Sequence, residues 1–230
     1  MSTRTRNDDS CYNSILKQLR SMSNPENVKG MARYGISSEN TLGVSIPALR
    51  KIAKESGKNH ELAQQLWKSG IHEARLLAAF TDEPSKVKEE QMDSWVKEFD
   101  SWDICDQVCS NLFDKTPYAY AKASEWSSEK GEFVKRAGFV LMAALVVHDK
   151  QATDEKLEKF LPTIKREATD ERNFVRKAVN WALRQIGKKN TYLQKEALKT
   201  AREILQLDSK SARWIANDAI RELESKQLKK

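Results

Sequence analysis

The sequence FVKRA at residues 133–137 returns as FVRKA at residues 174–178, 41 residues later. The second copy continues into NWALRQI at residues 180–186, and a similar segment, NDAIREL, follows 37 residues later at residues 217–223. Periods near 40 in a helical sequence are typical of helix-pair repeats, because one pair cannot bury its apolar face alone. The repeats therefore predict an all-α solenoid of stacked antiparallel helix pairs of the HEAT type.

The composition agrees with a helical protein. Only 8 Gly and 5 Pro occur in 230 residues, whereas an all-β chain of this length would need turn residues far more often. At 39% hydrophobic and 32% charged residues, the chain is globular rather than disordered.

The spacing of the repeats places two helices in each. We predict a flexible tail at residues 1–10 and one solenoid domain over residues 11–230, with one or two additional helices near its start, one of them opening near Ser45. Thr116 and Pro117 predict an N-cap followed by the first helical residue. The first helices of the pairs are expected at about residues 61–69, 86–99, 116–129, 154–167 and 191–206, and the second at about 72–80, 101–113, 131–148, 170–187 and 209–226.

Several classes of protein are excluded. The longest apolar run, residues 137–147, is shorter than the roughly 20 residues that span a bilayer, and residues 1–10 lack the apolar core of a secretory signal. Three cysteines without a CxxC pair do not form a disulfide framework, so we expect a reducing cytoplasm. No metal set, cofactor loop or common nucleophile motif is recognisable. We expect a monomer without metal or cofactor and without a membrane partner.

The positive charge is concentrated in the last third of the chain. Residues 165–230 contain 17 Lys and Arg against 9 Asp and Glu, while residues 1–164 contain 23 against 24. This asymmetry suggests an anionic partner, with nucleic acid favoured over a membrane surface. A basic surface without such a partner remains the alternative.

Trp181 lies at the edge of an amphipathic helix. At 100° per residue the apolar side chains of residues 174–186 form one arc, and Arg176, Lys177, Asn180 and Arg184 lie opposite. A ring flanked by cations is well placed to touch a nucleotide whose phosphates the cations hold. Alternatively, Trp181 is a core residue that is sheltered by basic side chains.

Trp102 and Asp106 stand four residues apart at the edge of a second apolar stripe. They therefore lie one above the other on one helix face. A carboxylate in this position acts through a lowered dielectric constant. Its simpler role is a cap or an ion pair with a neighbouring arginine.

Together these segments resemble the AlkD-like alkylpurine DNA glycosylases. The resemblance covers about residues 25–225 and depends on the order and spacing of several motifs. They are MARY at 31–34, LGVSIP at 42–47, WDICD at 102–106, FVKRA at 133–137, and residues 174–184 with Trp181. It implies a HEAT-like solenoid whose concave face cradles duplex DNA and which releases cationic N3- and N7-alkylated purines. That family is described as not drawing the damaged base into a tight pocket, unlike most enzymes that act on bases.

The resemblance also implies roles for individual residues. Asp106 corresponds to the catalytic aspartate, and Trp102 and Trp181 to the tryptophans that pack against the sugar of the damaged nucleotide. Arg136 corresponds to an arginine near the DNA backbone and Tyr34 to another DNA-facing residue.

Ser45 departs from the family, which has a longer polar side chain at this position that reaches toward the DNA. We therefore do not expect the lesion binding or substrate range of the family to carry over unchanged at this position. From the charge distribution we add Lys177, Arg184 and Arg213 to the expected DNA-binding residues.

A cationic purine is a good leaving group, so its hydrolysis needs no general acid. One carboxylate can then stabilise the oxocarbenium-like sugar and position the attacking water. We therefore expect a DNA repair glycosylase whose partner is double-stranded DNA containing alkylated bases. The alternative is a non-catalytic HEAT-repeat scaffold that binds DNA or a protein partner, because a fold alone does not define a function.

Overall fold

The computed structural model describes the backbone of residues 3–225 and the side chains of residues 10–225. All regular structure within those residues is helical, which confirms the predicted all-α class. The helices are α1 (Thr3–Ser21), α2 (Pro25–Ala32), α3 (Ile46–Ser56), α4 (His60–Lys68), α5 (His72–Thr81), α6 (Glu89–Lys97), α7 (Trp102–Asn111), α8 (Ala119–Trp126), α9 (Glu132–His148), α10 (Asp154–Glu158), α11 (Leu161–Glu167), α12 (Asn173–Gly187), α13 (Thr191–Leu205) and α14 (Lys210–Ser225). None of these helices is both long and apolar enough to cross a membrane.

The chain divides into two compact units, Met1–Thr116 and Pro117–Lys230, called here the N-terminal and C-terminal units. The sequence predicts a single domain over residues 11–230 and a flexible tail over residues 1–10. Helix α1 already begins at Thr3, because no glycine or proline interrupts residues 3–21. Residues 1 and 2 lie outside the described part of the chain.

The N-terminal unit is built around α5. This helix is almost wholly buried and packs against α3, α4 and α7. An aromatic cluster joins α4 to α6, where the rings of Trp67 and Trp95 stack with centroids 4.0 Å apart. Phe99 and Phe113 extend the cluster from the ends of α6 and α7. Large buried rings contribute much of the apolar area that stabilises such a core.

The C-terminal unit stacks α12 against α9 on one side and against α13 and α14 on the other. Helix α8 pairs closely with α9, and Gly138 makes the close approach possible. A Cβ atom at this position would lie 2.4 Å from the backbone nitrogen of Ser127. Helices α9, α12 and α14 hold the repeated segments that predicted the fold, so the repeats correspond to neighbouring helices.

The repeat period reappears as a set of polar contacts between residues 38 positions apart in the C-terminal unit. They include Arg136 with the Phe174 carbonyl, Lys165 with Glu203, Asn180 with Asp218, and Arg184 with Glu222. Equivalent positions of successive helix pairs therefore face each other, which is the arrangement expected of a repeat stack.

Two predicted boundaries are wrong. Thr116 does not cap α8, which begins at Ala119; the Thr116 hydroxyl donates instead to the Phe113 carbonyl at 2.8 Å and closes the turn after α7. The helix predicted at residues 154–167 is two helices, α10 and α11. Pro162 lies in the first turn of α11, where a proline is tolerated because its missing N–H has no helical partner there.

Candidate nucleic-acid interface

The N-terminal unit contains a pocket of about 460 Å³ between α2, α3 and α7. Three of the residues predicted to act on DNA, Tyr34, Ser45 and Trp102, lie in its lining. Apolar side chains form most of the remaining wall, and its polar groups are few. These polar residues are Glu26, Asn27, Asp103 and Gln107.

Trp102 is the first residue of α7 and is held from outside its own helix. Its indole N–H donates a hydrogen bond to the Tyr34 carbonyl at 3.0 Å. The ring is half-buried, and the phenol of Tyr34 is 72% exposed. One bond therefore fixes the orientation of Trp102, while both aromatic side chains keep exposed surface for a ligand.

The loop that leads to Ser45 is fixed by a buried carboxylate. The Glu73 side chain accepts hydrogen bonds from the backbone N–H groups of Leu42, Gly43 and Val44, at 2.9, 2.6 and 3.3 Å. Gly43 has φ +79°, and a Cβ there would lie 2.3 Å from the Asn24 carbonyl oxygen, so this position requires glycine. Sequence reasoning missed Glu73; the available signal was an acidic residue within the otherwise apolar run of α5.

Asp103 and His72 form a second buried support for α7. The His72 Nε2 lies 2.8 Å from Asp103 Oδ2. Burial by itself lowers the pKa of His72, but the hydrogen bond and charge of Asp103 outweigh it and raise that pKa above its ordinary value. Burial likewise opposes ionisation of Asp103, and the bond to His72 overcomes it, so the pKa of Asp103 is lowered. The pair joins α5 to the turn of α7 that holds Trp102.

Asp106 lies one turn after Trp102 on α7 and is half-buried. Its neighbours Ile104 and Cys105 are fully buried, so Asp106 occupies the edge of the apolar stripe, as the helical periodicity predicts.

Cys109, on the same helix, is also buried. Desolvation, together with the nearby Cys105 and the charge of Asp106, raises the pKa of its thiol well above the ordinary value. Both cysteines are therefore core residues.

In the C-terminal unit, α12 holds Lys177, Trp181 and Arg184. Lys177 is exposed and has no ion-pair partner among the described residues, whereas Trp181 is half-buried. Arg184 forms ion pairs with two carboxylates of α14: its Nη1 lies 2.5 Å from Glu222 and 3.5 Å from Asp218. Its positive charge is thus largely compensated within the unit.

Two other polar residues of the C-terminal unit have roles that the helical wheel did not predict. Asn180, expected on the polar arc, is buried, and its amide donates to Asp218 at 2.7 Å, which compensates the loss of water. Arg176 lies over the Trp214 ring, 5.1 Å from its centroid, within the range of a cation–π contact. Both contacts tie α12 to α14. Arg213 is exposed and lies 3.5 Å from Asp208.

Arg136 is only 6% exposed. Its guanidinium donates to the Phe174 carbonyl at 2.6 Å and so joins α9 to the first turn of α12. This bond links the two helices and makes Arg136 part of the packing between repeats. Its role toward DNA, which comes from the family resemblance, stays a prediction.

The stacked helix pairs and the aromatic and acidic face of α7 are features of a HEAT-like repeat protein with a candidate DNA site. The family described as DNA alkylation repair enzyme matches residues 15–223. The chain belongs to this family.

The chain is also similar to individual proteins. It is 23% identical over 197 residues to an uncharacterized protein of Listeria innocua and to another of Listeria monocytogenes, covering 84% of this chain and 86% of each relative. A solved structure is described as a new family related to the HEAT-like repeat DNA glycosylases with affinity for branched DNA. It superposes with a TM-score of 0.76 at 20% identity, covering 92% of this chain and 94% of its own. This likeness confirms the HEAT-like repeat fold.

Proposed function

We propose that the protein is a DNA repair glycosylase that hydrolyses the N-glycosidic bond of cationic N3- or N7-alkylated purines in duplex DNA. The observation that carries the proposal is the placement of Trp102 and Asp106 on consecutive turns of α7, both half-buried. Membership of the DNA alkylation repair family supports it. We further propose that the protein acts as a monomer and without a metal or cofactor.

The chemistry suits a single carboxylate. An alkylated purine with a positive charge leaves as a neutral base, so no acid has to protonate it, unlike ordinary glycoside hydrolysis with its two carboxyl groups. Asp106 would stabilise the positive charge that develops on the sugar and orient the attacking water. At about 4 Å and an effective dielectric constant of about 20, the attraction is roughly 4 kcal/mol. At about 1.4 kcal/mol per tenfold, this contributes at most about a thousandfold to the rate.

The aromatic residues would add a cation–π contribution. Trp102 is oriented by its bond to Tyr34, so its ring can face a cationic sugar without losing rotamer freedom on binding. We propose the same contact with the sugar for Trp181. Each ring would contribute about 0.5–2 kcal/mol.

We propose that Lys177 and Arg213 hold DNA phosphates, together with Tyr34 and Ser45 at the pocket of the N-terminal unit. Both cations are exposed. Arg184 is expected to contribute less, because Glu222 already compensates its charge. Arg136 would act mainly by joining α9 to α12, and reach the DNA backbone only with the part of its side chain that is exposed.

A second candidate is a non-catalytic scaffold that binds DNA. Arg136 and Arg184, two of the cations that the glycosylase resemblance and the charge distribution assign to DNA, already have partners within the chain, which weakens the glycosylase assignment. The similar solved protein, described as having affinity for branched DNA, is a further reason to test this class of ligand.

The experiment compares three duplexes of one sequence, containing N7-methylguanine, neutral hypoxanthine, or no lesion. The glycosylase proposal expects rapid release of the cationic base only, because no general acid assists a neutral leaving group. The affinity of the protein for a four-way DNA junction is measured in the same experiment. Junction binding without release of any base would replace the glycosylase with the scaffold, and equal release of hypoxanthine would contradict the proposed chemistry.

A further inference from the structure

A second pocket of the N-terminal unit, of about 370 Å³, is distinct from the one that Trp102 lines. It lies where α3, α5 and α7 end. Four of its lining residues are cations, and none is acidic. The charged, aromatic and amide side chains of its lining are Arg50, Lys54, Lys58, Lys115, Phe80 and Asn111.

Arg50 is held in place without losing its charge. One guanidinium nitrogen donates to the amide oxygens of Gln107 and Asn111 on α7, each at 3.3 Å. The guanidinium also stacks over the Phe80 ring, 4.6 Å from its centroid. All these partners are neutral, so Arg50 is preorganised while its positive charge remains uncompensated.

Lys54 lies one turn after Arg50 on the same face of α3 and is exposed. Its ammonium group has no ion-pair or hydrogen-bond partner within residues 10–225. It is therefore available to an external anion.

The other two lysines bind main-chain carbonyls. The Lys58 ammonium donates to the carbonyls of Phe80 and Asp82, at 2.9 and 2.8 Å, and Lys115 donates to the Asn111 carbonyl at 2.7 Å. Burial, followed by the charge of Lys115, lowers the pKa of Lys58.

The acidic groups nearest to Lys58 are bound elsewhere. Asp82 contacts His60 and Gln91, each at 2.7 Å, and Glu83 pairs with Lys86 at 2.9 Å. The charges of both carboxylates raise the pKa of Lys58, but by less than burial and the charge of Lys115 lower it. They offset part of the positive charge at Lys58, and neither forms an ion pair with Arg50 or Lys54 in the described part of the chain.

The positive charge of the four pocket cations is larger than the partial negative charge of the three helix C-termini that end there. Each C-terminus carries about −0.5 of an elementary charge, so three of them supply about −1.5 against four cations, and about +2.5 remains before the partial offset by Asp82 and Glu83. Two lysines would suffice to offset the helix ends. An excess of this size in one concave site is expected to attract an anion.

We propose that this pocket binds a backbone phosphate of DNA, with Arg50 and Lys54 as the residues that contact it. The proposal rests on the proposed function only in taking DNA as the partner. It places a phosphate contact in the part of the chain whose charge balance, 23 cations against 24 acidic residues over 1–164, does not suggest one. An oriented guanidinium next to a mobile ammonium suits a phosphodiester, because the planar fork fixes the oxygens and the lysine adds charge.

The test uses Lys54→Gln and, as its control, Lys51→Gln, which makes the same change on the same helix outside the pocket. Affinity for an undamaged duplex is measured from about 50 to 200 mM salt. Loss of one phosphate contact lowers the slope of log affinity against log salt by about 0.9. The affinity ratio of wild type to Lys54→Gln should therefore change by about 3.5-fold over this range, and that of Lys51→Gln should not. Equal slopes for the two variants would overturn the proposal.

Arg50→Gln is the second variant, checked by thermal midpoint because Arg50 also contacts α7. It should lower the slope as Lys54→Gln does, and a folded variant with an unchanged slope would contradict the assignment. Base release at saturating protein is measured in parallel. A normal rate for Lys54→Gln with a reduced slope supports both proposals, whereas a reduced slope without base release in wild type retains the phosphate site and rejects the glycosylase.

Discussion

Glu73→Gln tests how the loop at residues 42–44 is held beside the pocket of Trp102. The wild-type carboxylate accepts three backbone N–H groups. The glutamine keeps one oxygen, which would face Gly43 and Val44, and turns an amide N–H₂ toward the N–H of Leu42. One charge-assisted bond is lost, at about 1.5–3 kcal/mol, and two become neutral bonds of roughly half the strength.

These losses sum to about 3–6 kcal/mol, and water that reaches the loop offsets part of them, so we expect the variant to lose about 2–4 kcal/mol of unfolding free energy. For a chain of this size this lowers the thermal midpoint by roughly 4–16 °C. Hydrogen exchange should show faster exchange at the amides of residues 42–44. Glu39→Gln, an exposed change in the same loop, is the control. If both variants had the same midpoint and unchanged amide protection, the carboxylate would not be what holds the loop.

Two other predictions concern His72 and Glu222. The folded-state pKa of His72 is raised, so the bond between His72 and Asp103 stabilises the protein fully below pH 6.5 and progressively less as the pH rises through the raised value. The folded-state pKa of Asp103 is lowered, so the contribution of Asp103 is lost only below pH 3.8. Denaturant unfolding from pH 5.5 to 8.5 should show this loss in wild type and not in His72→Gln, and parallel profiles would contradict it. Glu222→Gln removes the partner of Arg184 and Lys188, so affinity for undamaged duplex and its salt dependence should both rise, by up to about 0.9 in slope for each cation that gains a phosphate. An unchanged slope would mean that neither cation faces DNA.

Much of the fold could be predicted because helical periodicity is a property of short segments. Helices α5, α9 and α13 begin and end within a residue or two of the expected positions, since apolar spacing and caps such as Asn190 are local signals. The role of Thr116 could not be predicted in this way. Its hydroxyl prefers a carbonyl of the preceding turn, and a sequence does not show which of two adjacent elements a threonine serves.

The candidate site, too, could be predicted only where it depends on local sequence. The edge position of Asp106 follows from the spacing within α7 and is observed. The engagement of Arg184 by Glu222, 38 residues away, depends on how two helices pack, which a single helical wheel does not contain. Glu73 and His72 were missed for a related reason: each is a polar residue on a buried helix, and its partners lie about 30 residues away in sequence.

The role of Asp106 is tested most directly by single-turnover release of N7-methylguanine from duplex DNA at saturating protein. Asp106→Asn keeps the shape and removes the charge, so excision should be slower by on the order of a hundred- to a thousandfold, with duplex affinity maintained; the thermal midpoint is measured to confirm that the variant is folded. Asp100→Asn, the same change at an exposed position two residues before Trp102, should release base at the wild-type rate. Equal rates for wild type and Asp106→Asn would show that this carboxylate does not stabilise the sugar cation and would contradict the proposed mechanism.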